Sequence, residues 1–96
     1  MSLAELLHER RDAIKQIAKR HGVVSVRVFG SVARDQATSN SDIDLLVETG
    51  PNTSPWFPAG LMLDLESLLG RRVEIVTERA LRPELREAVL RDARPL

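Results

Sequence analysis

Phe29-Gly30-Ser31-Val32-Ala33-Arg34 and, after a polar gap, Ser41-Asp42-Ile43-Asp44-Leu45-Leu46-Val47 decide how this chain is read. Val24, Val26 and Val28 alternate with Ser25, Arg27 and Phe29, the period of a strand that ends at Gly30. A Gly-Ser pair that closes a strand and opens a helix can hold phosphate. Gly30 has no side chain to keep an anion away, and Ser31 offers a hydroxyl and an amide at a helix N-terminus. Arg34 stands one helical turn beyond Ser31, within reach of the same anion. From Asp42 to Glu48 the alternation returns, with Ile43, Leu45 and Val47 on one face and Asp42, Asp44 and Leu46 on the other. Two carboxylates two residues apart on a strand suit a hard divalent cation such as Mg²⁺, which also accepts water and phosphate oxygens. The pattern describes a site for a nucleoside triphosphate with its metal. The competing reading is a common Gly-Ser turn and an aspartate that ends a loop, but Asp44 sits inside the strand, where aspartate is disfavoured.

Outward from this stretch, Ser2 and Glu5 form a capping box, and Leu3, Leu6, Leu7, Ile14, Ile17 and Ala18 recur at helical spacing until Gly22. Residues 31 to 36 make one or two helical turns, and 38 to 41 form a polar loop. Three prolines and two glycines around Trp56 and Phe57 make a loop of 49 to 60. Leu61, Met62, Leu65, Leu68 and Leu69 form a helix stopped by Gly70, and residues 73 to 77 form a third strand. Pro83 opens a last helix, to about Asp92, with Leu85, Ala88 and Val89 inward. The order α-β-α-β-α-β-α implies a two-layer α/β domain, a small sheet with helices on one face, occupying residues 1–96 as a single unit. One helix between strands makes parallel pairing the default, but the connection through 31–41 is short, so a mixed sheet is expected.

A third acid is wanted from a neighbouring strand, to complete the metal site or to take a proton from an attacking hydroxyl. Val73, Ile75 and Thr77 share one face of the third strand and leave Glu74 on the other, so Glu74 takes that place.

Composition restricts the alternatives. Fourteen Lys and Arg balance fourteen Asp and Glu, so no net field draws the chain to nucleic acid or to a membrane. There is no cysteine, which excludes disulfides and thiolate metal sites. An acid at Glu5 and the absence of a long apolar run argue against a signal peptide or a membrane span, so a cytoplasmic protein is expected. His8 and His21 read as solvated helix-face residues and Arg71-Arg72 as a solvated turn. Trp56 and Phe57 read equally as a partner contact or as a cover for the end of the core.

The two quoted runs, with Leu69-Gly70-Arg71-Arg72-Val73-Glu74-Ile75-Val76-Thr77, resemble the minimal nucleotidyltransferases of the DNA polymerase β-like superfamily. The resemblance spans nearly the whole chain. It implies the mixed-sheet nucleotidyltransferase fold, ATP as nucleotide donor and two Mg²⁺ ions. Gly30 and Ser31 would hold the triphosphate, and Asp42, Asp44 and Glu74 would be the catalytic, metal-binding acids. It further implies a cognate HEPN-type ribonuclease toxin as partner, neutralised by adenylylation on a tyrosine; the alternative is an antitoxin that acts by stoichiometric binding without catalysis. Two positions depart from the family pattern. Glu74 replaces the usual aspartate, and Asp35 stands where glycine is common, placing a negative charge near the phosphates. The antibiotic-modifying relatives carry a second, helical domain for their acceptor, which this chain has no residues to build. Self-association is compatible with so small a core.

Overall fold

A computed structural model describes residues 1–38 and 40–96. The expected polar loop at 38–41 includes residue 39, which lies outside the described residues. The elements are α1 (Leu3–Glu9), α2 (Arg11–Arg20), β1 (Val23–Phe29), α3 (Gly30–Ala33), β2 (Ile43–Thr49), α4 (Ala59–Leu69), β3 (Val73–Thr77), a 3-10 turn (Glu78–Ala80), α5 (Pro83–Asp92) and β4 (Arg94–Pro95). The sheet order is β3-β2-β1-β4. β1 runs antiparallel to β2 and β4, and β2 runs parallel to β3. The connection through the one-turn α3 returns the chain antiparallel, whereas the longer passage through α4 makes the parallel crossover. The sheet is therefore mixed, as expected.

The core lies between one face of this sheet and α1, α2 and α4. Leu7, Ile14, Ala18, Leu61, Leu65 and Leu69 meet Val28, Ile43, Leu45, Val47 and Val73 there. The period-2 pattern of β2 is what sends Ile43, Leu45 and Val47 inward together and leaves Asp44 on the opposite face.

The sequence reading needs three amendments. The single first helix is two, broken at Arg10, whose φ of −97° and ψ of 8° leave the helical basin. At the break the carbonyl of His8 is taken by the Arg11 guanidinium at 2.7 Å, so the turn ends without a loss of hydrogen bonding. The bend lets Leu7 and the Ile14–Ala18 stripe both reach the core. Second, β4 was not foreseen: two residues including a proline carry no strand signal. Third, α5 contributes nothing to the core, and Leu85, expected to face inward, is 52% exposed. Ala88 is exposed as well. Instead α5 lies against β1 and α3 and is tied down by ion pairs.

Candidate active site

The acids of the two motifs converge because of register. Phe29 of β1 pairs with Asp44 of β2, and Asp44 pairs in turn with Glu74 of β3. Directly paired residues share a face, so the Asp44 and Glu74 carboxyls stand side by side, close enough to share a proton. Asp42, one residue before β2, is exposed and close enough for its charge to act on Asp44.

Gly30 joins this cluster in an unexpected way. Its φ is +74°, and a Cβ built there would collide with Asp44 Oδ2. The absent side chain thus makes room for a carboxylate of the site itself, seated against the backbone where α3 begins. Gly30 opens α3 and Ser31 follows in its first turn, where amides have no upstream carbonyl to bond.

The electrostatics of Asp44 record the crowding. Its pKa is raised from 3.8 to about 6, first by burial, then by the hydrogen bond and charge of Glu74 and the charge of Asp42. Arg34 alone opposes the rise. Arg34 itself is occupied: Nη1 donates to Asp92 Oδ2 at 2.7 Å and Nε to Gln36 Oε1 at 3.2 Å.

Supporting contacts hold the strand starts. Glu66 Oε2 of α4 accepts from the Val73 amide at 3.0 Å, and Arg71 Nη2 donates to the Ser41 carbonyl at 3.3 Å. Arg71 is therefore a bracket on the loop before Asp42, not the solvated turn that the sequence suggested. Asp35 is in the left-handed region at φ 58°, which explains why glycine suits this position. It lines a cavity of about 230 Å³ with Met1, Val32 and Arg71, and it is not among the charges that shift Asp44.

All six expected site residues thus lie in one region of the fold: Gly30, Ser31, Arg34, Asp42, Asp44 and Glu74. Gln36, Asp92 and Glu66 contact this region without a motif that marks them in the sequence, and Arg71, expected to be solvated, joins them. The donor set is all carboxylate, hard oxygen suited to Mg²⁺, and the mutual repulsion that raises Asp44 is what a cation would relieve. The cavities of about 580 and 520 Å³ lie elsewhere, lined by the edge of β1 and by the far ends of β2 and β3. Among the described residues, no helix is long and apolar enough to cross a membrane.

His21 is the other departure. It is not solvated: the side chain is 14% exposed, with Nδ1 2.6 Å from Ser54 Oγ and Nε2 2.7 Å from Asp64 Oδ2.

Comparison with known proteins agrees with this geometry. A model of the nucleotidyltransferase domain family matches residues 10–96. MJ0435 of Methanocaldococcus jannaschii, assigned as a protein adenylyltransferase, is 36% identical over 87 residues, 91% of this chain and 94% of its own length. The protein adenylyltransferase MntA of Thermococcus cleftensis is 37% identical over 78 residues, 81% of this chain and 79% of its own. A solved structure described as a minimal nucleotidyltransferase superposes with a TM-score of 0.85 at 54% identity, covering 97% of this chain and 95% of that one. A toxin–antitoxin structure with AMP-PNP shares the fold at a TM-score of 0.74 and 22% identity, over 88% of this chain and 69% of that one. The chain belongs to the nucleotidyltransferase domain family and is a nucleotidyltransferase enzyme of the minimal type.

Proposed function

We propose that this chain, acting as a single unit over residues 1–96, transfers AMP from Mg-ATP to a hydroxyl of a partner toxin and so serves as its antitoxin in the cytoplasm. The observation that carries this reading is the register pairing of Asp44 with Glu74 directly against the Gly30 turn. Asp42, Asp44 and Glu74 would hold two Mg²⁺ ions, whose chemistry is to neutralise the triphosphate and the leaving pyrophosphate. Gly30 and Ser31 offer amides and a hydroxyl to the phosphates, and Arg34 adds a guanidinium. The acceptor oxygen attacks the α-phosphorus, a new O–P bond forms, and the bond to the bridging oxygen breaks to release pyrophosphate. Glu74 would take the hydroxyl proton. Seating a carboxylate pair beside the phosphate turn supplies orientation, which accounts for much of the rate in phosphoryl and nucleotidyl transfer.

The toxin partner is supported by the adenylyltransferase relatives and by the toxin–antitoxin structure that shares the fold. A HEPN-type toxin and a tyrosine acceptor follow from the family resemblance. The test is incubation with ATP labelled at the α-phosphate, MgCl₂ and the product of the adjacent gene. Label should pass to a toxin tyrosine and be lost with the Asp42→Asn, Asp44→Asn double variant. No transfer by the wild type overturns the reading.

One observation favours a second reading, neutralisation by binding alone. Asp35, at φ 58° in the turn after α3, puts a carboxylate where the family commonly has glycine, and that charge opposes binding of a triphosphate. Under that reading the double variant still neutralises the toxin; under the catalytic reading it does not.

A further inference from the structure

We propose that Asp92, assisted by Gln36, is a positioning residue that holds Arg34 ready for the triphosphate; the inference rests on the nucleotide-transfer reading above. A surface arginine is ordinarily mobile and loses rotamer freedom on gripping an anion. Arg34 follows the one-turn helix α3, and its side chain is 47% exposed, so its own surroundings do little to fix it. The guanidinium is instead gripped at two points, Nη1 on Asp92 Oδ2 and Nε on Gln36 Oε1. These bonds use two of its five N–H donors. Nη2 makes no bond among the described residues, so a pair of donors is left to face a phosphate.

Asp92 is delivered by the last residue of α5, a helix that buries none of its side chains yet packs on α3 and β1. The contact spans 58 residues of sequence and links that helix to the acid cluster. Asp92 could instead compete with phosphate for the arginine. Asp92 engages only Nη1, however, so the two Nη2 donors stay available to an anion while the guanidinium plane is held in direction. Orientation outweighs masking.

The measurement is the affinity of the full chain for AMP-PNP in MgCl₂, by titration calorimetry, for wild type, Arg34→Ala, Asp92→Asn and the double variant. Asp92→Asn should weaken binding about tenfold, the order expected when a positioning contact is lost, while lowering the unfolding temperature by only the few degrees that one partly exposed ion pair is worth. In the Arg34→Ala background Asp92→Asn should add nothing, because its effect runs through the arginine. Unchanged or tighter binding by Asp92→Asn, or an equal loss in both backgrounds, overturns the proposal. Failure of the wild type itself to bind AMP-PNP overturns the nucleotide-transfer reading, a result visible without any variant.

Discussion

Gly30 is irreplaceable for two separate reasons. Its positive φ disfavours any L side chain by about 1–2 kcal/mol, and the space a Cβ needs is held by Asp44 Oδ2. Gly30→Ala should therefore destabilise the chain by at least roughly 2 kcal/mol, from the conformational penalty plus the clash, and displace Asp44 enough to abolish nucleotide transfer. Chemical denaturation and the labelled-ATP assay read the two effects separately. Asp44 carries a prediction of its own. The folded chain holds its proton more tightly than the unfolded chain does, with a pKa of about 6 against 3.8. The stabilising contribution is complete below pH 3.8 and is lost as pH rises through about 6. In buffer containing a chelator and no nucleotide, the wild-type unfolding temperature should fall relative to that of Asp44→Asn between pH 4.5 and 7. A difference that does not vary with pH would show that the carboxyl is not strained. Burial and the neighbouring Glu74 and Asp42 carboxylates that raise the value are also what a bound cation would offset.

At the scale of elements, the loop between β2 and α4 is held by His21 more than by its own residues. The imidazole bridges Ser54 and Asp64; in the neutral ring Nε2–H donates to the carboxylate and Nδ1 accepts from the hydroxyl. The backbone adds Ser54 N–H to the His21 carbonyl and Gly50 N–H to the Gly22 carbonyl. Gly22, at φ +87°, must lack a side chain because the Asn52 carbonyl lies where a Cβ would be. Trp56 rides on this loop, 84% exposed, and is the chain's sole tryptophan. His21→Ala should cost about 1–2 kcal/mol and lower the fluorescence anisotropy of Trp56. It should leave nucleotide binding intact, because Asp44 lies at the other end of β2, roughly 20 Å from Gly50 at strand rise. Unchanged anisotropy would mean that the prolines alone hold the loop. The histidine could not be read from sequence, since both its partners are remote: Asp64 is 43 residues away and Ser54 is 33.

For the molecule as a whole, stability rests on one small core. The Cα radius of gyration is 12.5 Å, the value a compact chain of this length should have. Ile14, Ile43, Leu45, Val47, Leu61 and Leu65 are fully buried within that core. Leu65→Ala should remove about 2–5 kcal/mol, roughly 10–30 °C in unfolding temperature for a domain of this size. With total stability of about 5–14 kcal/mol expected, the variant would sit near the limit of folding. Scanning calorimetry gives the shift directly; a change under a few degrees would mean that α4 is not essential to the core.

Most of the fold, and the meeting of the six candidate site residues in one region, were legible in the linear chain, and the reason is periodicity. Alternation in β1, β2 and β3 assigns each residue to a face before any partner is known, and it set Asp44 and Glu74 opposite the apolar side. Short motifs at strand ends carried the phosphate and metal chemistry in the same local way. What depends on contact across long separations was decided only by tertiary structure. The pairing of Arg34 with Asp92, the tether on His21, the two-residue β4 and the collision that makes Gly30 obligatory all join residues with no common period. α5 shows the limit most plainly: its apolar spacing suggested an inward face, but the core was already closed by α1, α2 and α4, so charge rather than burial fixes it in place. The amino-acid order specified which groups are present and which way each faces; packing alone decided which of them touch.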